Sequence, residues 1–380
     1  MNPDDLPVIV DAVRTPIGTV GGALRTQHAT DLLAPVLADL ARRCPGPIDE
    51  VVIGNIRGPG GNPARVAALR AGIDETTPAI TVDRQCGSGM AAIEYAVGML
   101  GGTRRGFVLA GGTQSASRQP LTYWPPEHHG DEPRPYDRAP FTDSAHGDPD
   151  MGVAADLLAA EHGIDRARQD AYAARSHARA VAATDAGIFA TEILPVADLD
   201  HDERPRAHFT VERLARFRPA FTPDGTATAA NSCGVNDGAA AVVICDGRTA
   251  AASGLHGLRV LDAVTVGCDP ARPGWGIVPA VRRLAERTGI GPDRVDVVEF
   301  NEAFAGQVLA CLDALGIDEE RNCPQGGAIA LGHPWAATGA IQVCRLFTQL
   351  AGHRSADARF GLAATAIGGG QGSAILVETI

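Results

Sequence analysis

Two stretches of this chain repeat one another. Ile48-Asp-Glu-Val-Val-Ile-Gly-Asn55 is echoed by Arg294-Val-Asp-Val-Val-Glu-Phe-Asn301, with the closing asparagines 246 residues apart. The same displacement carries Cys86 to Gly332, inside the turn Leu331-Gly-His-Pro334. Each half then closes with an apolar run that meets glycines, Phe107–Gly112 and Gly361–Gly370. Four ordered correspondences predict a duplicated unit. Short β-branched runs alternate with Ala/Leu-rich stretches, so that unit is α/β.

Strands are predicted at Val8–Val13, Val51–Gly54, Ala79–Val82, Phe107–Ala110, Ala240–Cys245, Leu258–Val264, Val295–Phe300, Gly361–Ala366 and Ala374–Val377. Helices are predicted at Asp31–Arg43, with Thr30 as N-cap, and at Val278–Thr288, closed by Gly289. Between the halves the pattern breaks. Seven prolines fall between Ser117 and Pro149, followed by helical stretches at Met151–Glu161 and Asp165–Thr184. So long an irregular excursion inside a compact protein is usually functional. The expected organisation is a first half over 1–116, an insertion over 117–235 covering the active face, and a second half over 236–380.

Composition removes several chemistries. All 33 basic residues are arginine, so no lysine can form a Schiff base. A net charge of -12 argues against a general nucleic-acid or anionic-membrane surface, though a local arginine patch could still hold a phosphorylated ligand. No apolar run approaches ~18 residues, and the acidic Met1–Asp11 segment lacks the basic start of a signal peptide. The eight cysteines are dispersed without a CxxC pair. Neither a metal site nor a disulfide framework is expected, and a reducing cytoplasm is the simplest setting.

One of those thiols is set apart. Cys86 lies in Ala79-Ile-Thr-Val-Asp-Arg-Gln-Cys-Gly-Ser-Gly89, a strand and tight turn before a helix running to about Leu100. A thiol at a helix N-terminus faces unpaired N–H groups, which favours thiolate. Gly87 and Gly89 admit a bulky substrate to the backbone. His333 precedes a second helix, placed at about Thr338 to Ala351, and an imidazole there can take the thiol proton. Asn301 opens Asn301-Glu-Ala-Phe-Ala305, where a carboxamide can hold a water or an oxyanion. Gly368-Gly-Gly-Gln-Gly372, between two strands, is a turn and not a nucleotide loop.

Together these motifs resemble the thiolase family along nearly the whole chain. They are joined by Arg14-Thr-Pro-Ile-Gly18, Asn62-Pro-Ala-Arg65, Met151-Gly152, Arg218-Pro-Ala-Phe221 and Asn231-Ser-Cys-Gly-Val-Asn-Asp-Gly238. The resemblance implies a five-layer αβαβα fold of two like halves, an inserted loop domain for the coenzyme A arm, and a homodimer or homotetramer. It implies no permanent cofactor, with a coenzyme A thioester as substrate. It makes Cys86 the acylated nucleophile and His333 its activator, which forms one oxyanion site with a water held by Asn301. The N–H groups of Cys86 and Gly368 form the second. Met151, Phe221, Ala229, Ala230, Cys233, Ala303 and Phe304 are implied to line the substrate path.

The chain departs from the family pattern around this site. The second catalytic cysteine, before the Ile-Gly-Gly-Gly run, is Ala366. A methyl group transfers no proton, and losing general acid–base help typically slows a step ~100- to 10,000-fold. Trp335, Cys233, Ala230, Asp150 and Cys323 also differ from the usual residues. The expected function is a thiolase-like acyltransferase that loads Cys86 from an acyl-CoA or carrier-protein thioester. Its second step would use an acceptor needing no base, or a replacement base such as Cys233 or Cys323. The alternative is a non-catalytic homologue that binds coenzyme A or supports a partner.

Overall fold

Ten strands hydrogen-bond into one long sheet, and its order contains the same pattern twice. The structure is a computed structural model that describes residues 5–101, 105–143, 145–352 and 358–380. The first four residues of the acidic amino-terminal stretch lie outside the described residues. The strands are β1 (Val8–Arg14), β2 (Gly18–Thr19), β3 (Ile48–Gly54), β4 (Ala79–Val82), β5 (Phe107–Ser115), β6 (Thr122–Trp124), β7 (Arg134–Tyr136), β8 (Asn236–Cys245), β9 (Leu258–Gly267), β10 (Val297–Phe300), β11 (Phe360–Ile367) and β12 (Gln371–Thr379). The helices are α1 (Ala29–Arg43), α2 (Pro63–Arg70), α3 (Ser88–Leu100), α4 (Met151–Glu161), α5 (Arg166–Asp185), α6 (Val211–Leu214), α7 (Gly247–Ala252), α8 (Ile277–Thr288), α9 (Ala305–Leu315), α10 (Ala328–Leu331) and α11 (Trp335–Phe347).

In the first half β1 pairs antiparallel with β8, β8 antiparallel with β5, and β5 parallel with β3, which is parallel to β4. The second half repeats this with β9, β12, β11 and β10, and a parallel bridge from Val298 to Asn322 stands where β4 stood. Two residue pairs, Val8 with Arg259 and Ile9 with Leu258, join the halves. One boundary moves. Strand β8 had been placed in the second half, but it lies between β1 and β5, so residues 236–245 complete the first sheet.

Alternation along each strand builds the layers, because successive side chains point to opposite faces. Val108 and Ala110 of β5 and Val242 and Ile244 of β8 enter one core; Leu109 and Val243 enter another with α1 and α2. Ile375 and Val377 of β12 share the central core, while Ala374 and Leu376 pack with α8 and α9. Helices α3 and α11 lie between the two halves of the sheet and touch strands of both. The order is therefore αβαβα.

Small residues permit the central layer. A methyl at Gly89 would stand 2.8 Å from the Ala336 carbonyl oxygen, and one at Gly339 would stand 2.6 Å from the Met90 nitrogen. The two helices are in backbone contact there. Elsewhere the helix starts need one correction. Helix α1 begins at Ala29, its cap is His28, and the Asp31 carboxylate accepts the His28 N–H at 2.9 Å. Thr30 lies inside the helix because the acidic side chain that closes the cap comes one residue after it. Helix α11 starts at Trp335, directly after Pro334, three residues before the predicted Thr338.

A buried ion cluster ties the insertion to both halves. Arg14 of β1 donates to Glu192 at 2.7 Å and bidentately to Asp202 at 2.7 and 2.9 Å, and Arg345 of α11 donates to the other Glu192 oxygen. Three of these groups are almost fully buried, with Asp202 only 5% exposed.

Candidate active site

Cys86 sits on a single 3₁₀ turn, Gln85–Gly87, that feeds α3. Gln85 has φ of 47°, a left-handed conformation uncommon for such a residue. Ser88 holds the turn: its hydroxyl accepts the Arg84 N–H at 2.8 Å and donates to the Gln85 carbonyl at 2.6 Å. The backbone N–H groups of Cys86 and Gly368 act to lower the pKa of the thiol. Burial outweighs them and pushes the thiol up to about 11. The helix N-terminus had been expected to favour thiolate, yet desolvation of a charged sulfur is the larger effect here.

His333 comes from the other half. Its N–H donates to the Asn236 carboxamide oxygen at 3.0 Å, and Asn236 in turn donates to the Gly18 carbonyl at 2.9 Å. Gly332 has φ of 117°, and a methyl there would strike the same Asn236 carboxamide. The Asn231–Gly238 motif thus secures the histidine turn. The ring is 3% exposed, its Nδ1 lies 2.6 Å from the Thr338 hydroxyl, and burial lowers its pKa to about 4. The resting pair is a neutral thiol and a neutral imidazole.

Asn301 follows β10 and is 2% exposed, with its N–H on the Ala364 carbonyl at 2.9 Å. Neither atom of its carboxamide has a partner among the described residues. It lines an internal cavity of about 20 Å³ with Thr338, Gln342 and Cys323. That volume fits about one water. The adjacent Glu302 is clamped by the hydroxyls of Tyr172 at 2.8 Å and Ser176 at 2.7 Å, which fixes the Asn301–Phe304 turn.

The reaction cavity itself, about 120 Å³, is mainly apolar. It brings together Cys86, His333, Gly368, Met151, Cys233, Ala303 and Phe304 as the sequence predicted. It does not bring in the other predicted positions. Asn301 stands in the separate cavity just described. Phe221 stacks edge-on against Phe304 with centroids 5.5 Å apart. Ala230 is buried among the second-half core and Ala229 is exposed. The lining also includes Ala155, Pro273, Gly274, Gln307 and Trp335, together with Ala366. Gln307 was missed, although it lies one turn beyond Phe304 on α9, a spacing that puts both on one face. The insertion does reach the site: Phe141 covers Gly368, where a methyl would come within 2.7 Å of its ring.

The model of the thiolase N-terminal domain matches residues 7–248, and that of the thiolase C-terminal domain matches residues 257–379. The chain belongs to the thiolase family. It is 41% identical to the beta-ketoadipyl-CoA thiolase of Pseudomonas aeruginosa, over 98% of each chain. It is 39% identical to the acetyl-CoA acetyltransferase of Thiocystis violacea, over 99% of this chain and all of the other. The crystal structure of human mitochondrial 3-ketoacyl-CoA thiolase in complex with CoA superposes with a TM-score of 0.92 at 34% identity, covering 99% and 98% of the two chains. The thiolase assignment agrees with the repeated sheet order and with the break after β8, since the first model ends at residue 248. This thiolase homologue is an acyltransferase.

Proposed function

We propose that this acyltransferase forms an acyl thioester on Cys86 from an acyl-CoA, or from a carrier-protein thioester, and passes the acyl group on by Claisen condensation or its reverse, thiolysis. The observation that carries this is that Cys86, His333 and Gly368, from three separate turns, line one mainly apolar cavity, with the Cys86 and Gly368 N–H groups favouring negative charge there. As Cys86 attacks the thioester carbonyl, His333 takes its proton, and the departing thiol of the donor receives one. Charge on the former carbonyl oxygen meets N–H donors that are already oriented, each typically worth ~3 kcal/mol in the transition state. With a resting thiol, proton removal and attack are coupled, because a free thiolate would be expensive in so apolar a cavity.

The donor reaches Cys86 past Met151 and Phe304. Farther out, His208, Arg213, Arg216 and Arg218 line an open groove on the insertion, with Glu212 adding one negative charge. These arginines suit the phosphates of coenzyme A. Among the described residues no helix is long and apolar enough to cross a membrane. A cytoplasmic homodimer or homotetramer without a permanent cofactor completes the reading.

The test is to incubate the protein with acyl-CoAs from acetyl upward and weigh it intact. The expected result is a mass gain of one acyl group that disappears in Cys86→Ala. No adduct with any donor, or an adduct that persists in Cys86→Ala, overturns the reading.

A further inference from the structure

Carbon–carbon bond formation or cleavage requires a proton to leave or return to the α-carbon. Of the groups lining the reaction cavity only Cys86, His333 and Cys233 can exchange protons readily. Cys86 carries the acyl group and His333 serves its proton, which leaves Cys233. The backbone that carries this sulfur is held firmly. The Cys233 N–H donates to the Ala303 carbonyl at 3.0 Å, and its neighbours Ser232 and Val235 form β-bridges to Phe304 and His333. The loop therefore runs between the two turns that define the site.

A guanidinium stands directly behind that loop. A side chain added at Gly234 would run into Arg204, and Arg204 Nη2 makes only long hydrogen bonds, to the Ser232 carbonyl at 3.4 Å and the Ile329 carbonyl at 3.3 Å. Its Nε is buried without a partner, and no carboxylate pairs with it among the described residues. A guanidinium placed so, with its Nε buried and no counter-charge, is disfavoured. A thiolate on Cys233 is the counter-charge it lacks, and a nearby arginine is the setting that lowers a thiol's pKa. Burial pushes the Cys233 thiol up to about 12, and Arg204 is the foremost influence opposing it.

We propose that Cys233 is the second catalytic thiol of this site and that Arg204 is the positioning residue that makes its thiolate attainable. In condensation the Cys233 thiolate takes the α-proton of the incoming acyl-CoA, so a C–H bond breaks, an S–H bond forms, and the electron pair stays on carbon as an enolate. The enolate attacks the acyl carbonyl on Cys86, a C–C bond forms, and the C–S bond to Cys86 breaks to release that sulfur as thiolate. Thiolysis runs the same steps backward, with the Cys233 S–H returning its proton to the α-carbon. Ala366, which lines the same cavity, then needs no acid–base role.

This rests on the acyl-Cys86 reading, so the experiment measures both steps. Acylation of Cys86 by acetyl-CoA is followed by intact mass, α-hydrogen exchange of acetyl-CoA in D2O by mass, and cleavage of acetoacetyl-CoA by coenzyme A through product formation. For Cys233→Ala the expected loss is 100- to 10,000-fold in exchange and cleavage, exceeding any loss in acylation by at least about 30-fold. Arg204→Met should move the rising limb of the exchange pH profile, where Cys233 acts as base, upward by a pH unit or more, and Arg204→Lys should restore part of that shift. A merely structural Arg204 would lower the rate or the melting temperature without moving the limb. The proposal is overturned if Cys233→Ala exchanges and cleaves within about threefold of wild type, if the limb stays in place in Arg204→Met, or if the acylated wild type shows neither exchange nor cleavage. Failure of wild-type acylation sinks the underlying reading instead.

Discussion

The Thr338 hydroxyl lies 2.6 Å from Nδ1 of His333, one turn into the helix that follows it. With Nδ1 engaged, Nε2 is the ring atom left for the reaction cavity. Both side chains are buried, at 3% and 4% exposure. Thr338→Val keeps the shape and removes the hydroxyl. A buried polar atom left unpaired costs ~1–3 kcal/mol, so the rate of Cys86 acylation should fall about 10- to 100-fold. Thr338→Ser should recover most of it, as rapid-quench mass spectrometry would read.

Burial that raises the Cys86 thiol to about 11 sets its reactivity. Below that value the thiolate fraction grows about tenfold per pH unit. Labelling of the Cys86 peptide by iodoacetamide should keep accelerating from pH 7 through pH 9. A plateau below pH 8 would mean the site stabilises the thiolate in its resting state.

Two buried histidines make folding sensitive to acid. Burial lowers His333 to about 4 and His177 to about 3, against an ordinary value near 6.5. Between those values and 6.5 the unfolded chain binds protons that the folded chain does not. Their neutral forms are no handicap above pH 6.5, and stability is lost as pH falls below it. The loss is about 2 kcal/mol per histidine at pH 5. Urea midpoints at pH 7 and pH 5 should therefore differ less for His177→Gln than for wild type.

The buried cluster of Arg14, Glu192, Asp202 and Arg345 should fail if one member is removed. Arg14→Met leaves two carboxylates facing a single guanidinium and is expected to destabilise the protein by ~3–5 kcal/mol. Equilibrium denaturation measures this, and a loss under 1 kcal/mol would show that water or rearrangement compensates.

Much of this architecture is legible in the residues. All nine predicted strands exist, because the sheets are buried on both faces and their β-branched runs stand out against Ala-rich helices. The repeat also located the turns of Cys86 and His333. What the sequence hides is depth. Asn301 and Ala230 sit in motifs like their neighbours, but neither lines the reaction cavity, and nothing in the local pattern separates a wall from what stands behind it. The same holds for charge. A helix N-terminus promises a thiolate at Cys86, whereas desolvation depends on atoms from α4, β11 and the His333 turn that meet only after folding. Strand β8 was misassigned because it follows the insertion in the chain while pairing with strands from before it.

The duplicated sheet order leaves the two reactive turns on different copies: Cys86 after β4 in one, His333 before α11 in the other. On the proposed reading, neither copy alone holds both the nucleophile and its proton acceptor. The chemistry belongs to the seam, and the glycine contacts that press α3 against α11 set how tightly it is drawn. Expressed as two separate chains, the copies should each be inert, with acylation appearing only in proportion to the complex they form.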